Sequence, residues 1–205
     1  MKKVLWKIVI ILAILISLIP FTYLIKDAQQ GFFELKDAAV LKNIFWQTGF
    51  YTHVFSGGIA LMIGWLQFSK KSIINNIKWH RSIGKLYVLT ALICGLTGIY
   101  VGYYSNGGLM ADLGFMSIGV IYFYTTLKAF LFIKSKQIIQ HQRMMIFSYA
   151  CCLAAVTLRL YMPFLTYYLG DYYQAYTIAA WLSWVPNLLI AQIIIKSTVP
   201  QSQFT

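Results

Sequence analysis

One arginine and three histidines occupy positions from which they could bind a ligand within a largely apolar chain. Arg159 interrupts the apolar run 144–170, whereas the five acidic residues of the chain all lie outside such runs. Even on lenient insertion scales, an arginine in hydrocarbon costs about 2.5 kcal/mol, so it usually faces a bundle interior or a watery cavity and has a partner there. The sequence offers Arg159 no obvious acidic partner. An anionic ligand is therefore one candidate.

Arg159 and His53 are predicted to lie at the same depth in the membrane. At about 1.5 Å per residue, both lie roughly 5 Å to the outer side of the midpoint of their predicted helices. Together they could bind a carboxylate, a phosphate or a quinone oxygen. In the alternative interpretation, Arg159 hydrogen-bonds carbonyl groups freed by a kink at Pro163, and a hydroxyl or a water satisfies His53.

The other two histidines form a second layer at the cytoplasmic starts of their helices. His80 and His141 lie on different helices at one depth, so their imidazoles could ligate a b-type haem axially or contribute to another metal site. Arg81 and Arg143 lie beside them and could pair with haem propionates. In the alternative interpretation, both are interfacial histidines that cap helix ends or contact lipid headgroups.

Helical spacing places these residues on faces lined by glycine and other small residues. The three faces are His80, Gly84, Ala91, Gly95, Gly98 and Gly102; Gly49, His53, Gly57, Ala60 and Gly64; and His141, Ser148, Cys152, Ala155 and Arg159. Tyr87, Ser148 and Tyr149 are predicted to add polar contacts to a ligand. Small residues are a general device for close packing of membrane helices. Alternatively, the bare faces make room for a flat ligand such as a haem or a quinone.

The elements that must position these side chains are six long apolar segments. They cover residues 4–25, 44–69, 83–104, 113–133, 144–169 and 176–195. Segments of about 20 apolar residues are long enough to cross a bilayer as helices, and 60% of the chain is hydrophobic. We therefore predict an all-α integral membrane six-helix bundle that forms a single polytopic domain over residues 1–205. The second to fifth helices should form its core.

The net charge of +12 has a distribution that a membrane explains. Most basic residues fall on one side of the six-helix topology: Lys2, Lys3, Lys70, Lys71, Lys78, Arg81, Lys134, Lys136, Arg143 and Lys196. By the positive-inside rule, both termini are predicted to be cytoplasmic, in a multi-pass protein of the inner (plasma) membrane. Basic loops beside an anionic lipid leaflet need no nucleic-acid partner.

Several kinds of chemistry are disfavoured by the residues that the helices lack. No acidic residue lies within a predicted helix, which argues against a carboxylate proton relay. No phosphate-binding glycine loop and no H-E-x-x-H sequence is present. The three cysteines all lie in mid-membrane positions, which does not fit a structural disulfide or a thiolate zinc site. No feature assigns a particular reaction to the chain.

A spaced set of residues resembles a known bacterial family. The set is His53, Gly58, Gly64, Gln67, Phe68, His80, Arg81, Gly84, Tyr87, Gly107, Gly108, His141, Met145, Ser148, Tyr149, Ala150, Thr157, Leu158 and Arg159. On these residues the chain, from about residue 45 to 165, resembles the predicted membrane proteins called domain of unknown function 2306. The resemblance implies a polytopic membrane fold and supplies no mechanism. More distantly, the helices that carry histidine are similar in layout to those of two-haem transmembrane cytochromes b.

Three hypotheses about function follow from these observations. The first is a redox protein in which His80 and His141 hold a b-type haem, or in which a quinone is bound, for electron transfer. The second is a binding protein or transporter for an anionic or amphiphilic small molecule contacted by Arg159 and His53. The third is a structural subunit of a membrane complex, in which the glycine faces only pack.

Overall fold

The fold is known from a computed structural model that describes residues 2–24, 33, 35–68 and 76–198. Within these residues the chain is all helical, without a strand, as the sequence predicts. Three lysines of the predicted charge distribution, Lys26, Lys70 and Lys71, lie outside the described residues, as do the acidic residues Asp27 and Glu34.

In the described part of the chain, six helical segments are long and apolar enough to cross a membrane, and the predicted number is confirmed. The first to sixth spans are Val4–Leu24, Ile44–Phe68, Ile77–Tyr103, Gly108–Lys134, Ile138–Leu169 and Tyr172–Thr198. The α-helices within or beside them are Lys2–Ser17, Ala38–Lys42, Ile44–Gly64, Ile77–Tyr103, Gly108–Lys134, Ile138–Cys152, Ala154–Leu169, Tyr172–Leu182 and Val185–Thr198. Short 3-10 helices, Ile19–Leu24 and Trp65–Phe68, complete the first two spans.

The third and fifth spans begin earlier than hydropathy predicts, at residues 77 and 138 rather than 83 and 144. The Asn76 side chain caps the third span by accepting a hydrogen bond of 3.0 Å from the Trp79 amide. Hydropathy marks where a chain enters hydrocarbon, whereas a capped helix continues through the polar interface. His80 and His141 consequently lie in the first turn of their helices.

Charge distinguishes the two ends of the bundle. The basic end, where the third and fifth spans begin, carries Lys78, Arg81, Lys134, Lys136 and Arg143. The opposite end, where the fourth and sixth spans begin, carries Lys36, Lys42, Asp37, Asp112 and Asp171.

The third span is the centre of the bundle and packs along both the second and the fourth spans. Its contact with the fourth span is close because glycine faces glycine. A Cβ atom built on Gly95 would lie 3.2 Å from the Gly119 carbonyl oxygen, and one built on Gly119 would lie 3.0 Å from the Gly95 carbonyl oxygen. The small-residue faces predicted from helical spacing are therefore used for close helix packing here.

The fifth and sixth spans are both interrupted, and their interruptions face each other. The fifth span breaks at Leu153. Pro163, at which a kink was predicted, lies inside the continuous helix Ala154–Leu169. In the sixth span the break at residues 183–184 precedes Pro186, which occupies the first turn of the next helix, where its missing N–H is harmless.

Side chains tie these two interruptions together. The Thr157 hydroxyl donates across the interface to the Ser183 carbonyl oxygen. From the sixth span, the Asn187 amide donates to the Ala150 carbonyl oxygen at 3.3 Å and to the Ser183 carbonyl oxygen at 3.0 Å. The carbonyl groups freed by the broken helices are thus satisfied within the protein, as a membrane interior requires.

Candidate functional site

Arg159 is half-buried and has neutral neighbours. Its Nη1 atom donates a hydrogen bond of 3.0 Å to the Ala155 carbonyl oxygen, one turn earlier in the same helix. The side chain of Tyr23, from the first span, also forms a hydrogen bond with the guanidinium. Among the described residues no carboxylate acts on the guanidinium. A guanidinium has five N–H donors, so the bonds to Ala155 and Tyr23 leave donors for a further acceptor.

His53 lies close enough to Arg159 for the guanidinium charge to act on its imidazole ring. These are the two residues that were predicted to share one depth in the membrane. Its Nδ1 atom lies 3.0 Å from the carbonyl oxygen of Cys94 on the third span. Because a carbonyl oxygen can only accept, Nδ1 carries the proton, and in the neutral ring Nε2 keeps a lone pair. The His53 ring packs against Gly98, where an added Cβ atom would lie 3.0 Å from the ring.

Three tyrosines form a cluster with His53 and Arg159 in the half of the bundle away from the basic end. Tyr23 lies within electrostatic reach of Tyr172 and Tyr176, and the rings of that pair stack with centroids 5.8 Å apart. We call these five residues the Arg159 cluster. The sequence did not predict these tyrosines as part of a site, because in the sequence each is only an aromatic residue near the end of its span.

Lys36 makes polar contacts at the opposite end of the bundle. Lys36 donates a hydrogen bond of 2.7 Å to the Asn106 side-chain oxygen and lies over the Trp46 ring. Burial lowers the pKa of Lys36 to about 8, and the nearby Asp112 carboxylate opposes this shift. One Asp112 oxygen, Oδ1, is buried without a hydrogen-bond partner.

A cleft of about 650 Å³ opens between the second and third spans at the same end. It is lined by Asn43, Ile44, Phe45, Thr48, Gly49, Thr52, Thr97 and Tyr100. Gly49 is one turn from His53, and Thr97 is next to Gly98, on which the His53 ring packs. The cleft is therefore one turn from His53 along the second span, and its lining is largely apolar.

The predicted ligand contacts Tyr87 and Ser148 lie in the core and bond to each other. Their hydroxyl oxygens are 2.8 Å apart, and the Ser148 oxygen is 2.7 Å from that of Thr126 on the fourth span. Thr126 donates to the Tyr122 carbonyl oxygen at 2.7 Å. Because this carbonyl can only accept, the direction is fixed: Tyr87 donates to Ser148, and Ser148 donates to Thr126. The chain of hydroxyls therefore ends on backbone and joins the third, fourth and fifth spans.

Tyr149, the remaining predicted contact, is also in the core. Its hydroxyl donates to the Leu61 carbonyl oxygen at 3.4 Å, and its ring packs edge-on against Tyr87. Both rings lie on Gly64, where an added Cβ atom would be 2.4 Å from Tyr149 and 2.8 Å from Tyr87. Gly64 is thus required by two aromatic rings that pack on bare backbone.

At the basic end the two histidines are brought within electrostatic reach of each other, as their equal depth predicts. The His141 Nδ1 atom lies 2.8 Å from the Ala129 carbonyl oxygen, so this nitrogen carries the proton and Nε2 points elsewhere. Arg81 also lies within electrostatic reach of His80. Arg143, also at this end, is partly buried.

Haem ligation by His80 and His141 stays a prediction, and the packing sets a condition on it. Gly84, one turn after His80 on the same face, is covered by the Gln67 side chain, whose oxygen would lie 3.0 Å from an added Cβ atom. A porphyrin on this face would have to displace Gln67. Among the described residues no group of three or more histidine, cysteine or acidic side chains could hold a metal ion.

Fold and polar clusters together define a polytopic α-helical membrane protein with polar groups held between its spans. The chain belongs to the family described as predicted membrane protein, DUF2306, whose model matches residues 50–195. The predicted resemblance is thereby confirmed, and the match extends through the sixth span. No curated protein and no solved structure matches the chain.

Proposed function

We propose that the protein binds an amphiphilic small molecule whose anionic or carbonyl-bearing head is held by the Arg159 cluster. The observation that carries this proposal is a half-buried guanidinium, within a membrane span, whose neighbours are neutral. A charge inside a membrane span is costly and usually marks a substrate path or a ligand. Carboxylate and phosphate oxygens are the acceptors that a guanidinium binds best.

The neighbours of Arg159 support a head group with mixed hydrogen-bonding character. Arg159 supplies donors, and the neutral His53 ring supplies an acceptor at Nε2 because Nδ1 is committed to Cys94. A carboxylic acid, a phosphate ester or a reduced quinone carries both an acceptor and a hydroxyl donor. The apolar cleft one turn from His53 suits an alkyl or isoprenoid tail.

Thermal unfolding of the purified protein in detergent tests the proposal with named probes. Oleate, oleyl alcohol and decyl-ubiquinone share an apolar tail and differ in the head group. We expect oleate or decyl-ubiquinone to raise the unfolding temperature more than oleyl alcohol does, because a ligand that binds only the folded state stabilises it. Arg159→Gln should abolish the difference.

The matched control is Lys128→Gln, which removes one positive charge from the fourth span, where Lys128 lies over the Tyr124 ring. This variant should keep the response to the probes. A wild-type protein that responds equally to all three probes contradicts the proposal, as does an equal loss of response in both variants. Arg159→Lys is the second variant, in case Arg159→Gln does not fold; it should weaken the response because an ammonium lacks the planar fork of donors.

A further inference from the structure

Among the described residues, the basic end of the bundle holds buried nitrogen atoms without hydrogen-bond partners. They include the side-chain Nε2 of Gln67 and the Nδ1 of His80. Buried polar groups are nearly always paired, and leaving one unsatisfied costs about 1 to 3 kcal/mol. These two atoms are therefore candidates for hydrogen bonds to a bound ligand.

Backbone geometry explains why these two side chains gather there. Gln67 lies in the 3-10 helix Trp65–Phe68 that ends the second span, and its amide oxygen lies against Gly84 of the third span. His80 precedes Gly84 by one helical turn and shares its face. The bare backbone at Gly84 admits the Gln67 amide next to the imidazole.

The charges around this pair are all positive or neutral. His141 and Arg81 lie within electrostatic reach of His80, and the committed Nδ1 of His141 leaves its Nε2 for another partner. All three acidic residues within the described part of the chain, Asp37, Asp112 and Asp171, lie at the opposite end. An amide N–H and the His80 imidazole beside an arginine suit an oxyanion, whereas the Nε2 atom of a neutral His141 ring accepts a hydrogen bond from a hydroxyl.

We propose that the basic end binds a phosphate group, with the Gln67 amide and the His80 imidazole as its contacts and Arg81 as its nearby charge. Its place at the end of two membrane spans matches the depth of a lipid headgroup, and basic pockets between spans are known to bind anionic headgroups. The phosphate therefore comes from an anionic lipid or from free phosphate in solution. This site lies at the other end of the bundle from the Arg159 cluster and does not depend on it.

Binding measurements with the full chain in neutral detergent micelles separate the two sources. Inorganic phosphate, short-chain phosphatidylglycerol and short-chain phosphatidylcholine are titrated separately. We expect phosphatidylglycerol to bind at least about tenfold more tightly than phosphatidylcholine, because the choline cation cancels the negative charge of the phosphate and is repelled by the basic end. Tighter binding of inorganic phosphate than of either lipid assigns the site to the free ion and also supports a phosphate site.

Gln67→Glu tests the location because it replaces the buried donor with an acid of the same shape. The matched control is Gln137→Glu, which makes the same charge change at the same end on an exposed side chain that caps no amide. We expect Gln67→Glu to weaken binding of the phosphate probe about tenfold or more, and Gln137→Glu to weaken it less than about twofold. Equal losses in the two variants overturn the site, because only the general field of the basic end is then at work.

Two further outcomes also overturn the proposal. One is wild-type protein that binds none of the phosphate probes. The other is a Soret band in protein expressed with haem supply that is lost in both His80→Gln and His141→Gln, because the histidines then hold a b-type haem. Gln67→Met removes the same donor without adding charge, and should also weaken binding if Gln67→Glu does not fold.

Discussion

The Tyr87 and Ser148 hydroxyl oxygens lie 2.8 Å apart in the core and connect the third span to the fifth. The two residues are 61 positions apart, the same spacing that separates His80 from His141. Tyr87 therefore lies two turns beyond His80, and Ser148 lies two turns beyond His141. This relationship fixes the relative rotation and height of the third and fifth spans.

Removing the central hydroxyl should destabilise the bundle more than removing either outer one. Ser148→Ala leaves the Tyr87 donor and a Thr126 acceptor unpaired, whereas Tyr87→Phe leaves only an acceptor of Ser148 free. We expect Ser148→Ala to lower the free energy of unfolding in mixed micelles by about 1 to 2 kcal/mol, and Tyr87→Phe by about half of that.

Neighbouring threonines of the fourth span provide a control for the same network. Thr126→Val removes an acceptor of Ser148, whereas Thr125→Val removes a hydroxyl bonded within its own helix, to the Ile121 carbonyl oxygen at 2.8 Å. Thr126→Val should cost more, and its effect should not add to that of Ser148→Ala. Additive losses in the double variant would show that the two hydroxyls act independently.

Gly64 should tolerate no side chain. An alanine there would put a Cβ atom 2.4 Å from the Tyr149 ring and 2.8 Å from the Tyr87 ring, both of which are enclosed by the core. We expect Gly64→Ala to lower the free energy of unfolding by about 1 to 3 kcal/mol, the usual range for overpacking. Gly57→Ala is the control in the same helix, because only the Cys94 sulfur approaches, at 3.0 Å. A larger loss from Gly57→Ala would contradict this order.

The Asn187 amide should stabilise the two broken helices jointly with Thr157. Asn187→Leu keeps the size of the side chain and removes its bonds to the Ala150 and Ser183 carbonyl oxygens. We expect a loss of about 1 to 2 kcal/mol and coupling to Thr157→Val in a double-mutant cycle. Ser197→Ala, near the end of the same span, bonds only within its own helix and should have little effect.

Stability should depend on pH through Lys36. Its pKa of about 8 in the folded protein lies below the value of about 10.4 for an unperturbed lysine. Below pH of about 8, the folded state bears the full penalty of the buried charge. Between about 8 and 10.4 the unfolded state binds more protons, so the free energy of unfolding rises with pH.

Comparison with Lys36→Met isolates this contribution from other titrating groups. The unfolding temperature of the wild type should rise relative to that of Lys36→Met between about pH 7 and about pH 9.5. Parallel curves for the two proteins over that range would show that the charge of Lys36 is not penalised in the fold.

The positive-inside rule predicts the orientation in the membrane, and labelling tests it. In a cysteine-free background, Lys136→Cys lies exposed at the basic end and Lys42→Cys lies exposed at the opposite end. We expect a membrane-impermeant maleimide added to intact cells to label Lys42→Cys and to spare Lys136→Cys, because the basic end and both termini should be cytoplasmic. The reverse pattern of labelling would invert the topology.

Residue types alone predicted the number of spans, and the depth of each polar residue in the membrane stays a prediction from the helical rise. Apolar segments long enough to cross a bilayer have no other stable arrangement of their backbone hydrogen bonds than helices. Depth follows from a fixed rise per residue. The pairs His53 with Arg159 and His80 with His141 could therefore be proposed from position, and the structure brings each pair within electrostatic reach.

Partners from other spans could not be predicted, because they depend on how each helix is rotated and tilted against its neighbours. Tyr23 meets Arg159, Thr126 meets Ser148 and Gln67 covers Gly84 only once the spans have packed. The break of the fifth span at Leu153 also depends on tertiary packing, since Asn187 of the sixth span donates a hydrogen bond to the Ala150 carbonyl oxygen beside the break.

The sequence by itself determined an all-helical membrane bundle with a lone deep arginine and two polar layers, because hydrophobicity and helical rise are local properties of the chain. Only the tertiary structure decided which polar groups are satisfied internally. Within the described residues, it paired the Tyr87, Ser148 and Thr126 hydroxyls with one another and left Arg159 with neutral neighbours and Gln67 and His80 with unpaired nitrogens. Hydrogen bonding between helices requires a particular distance and direction, and these exist only after the glycine faces have set how closely the spans approach.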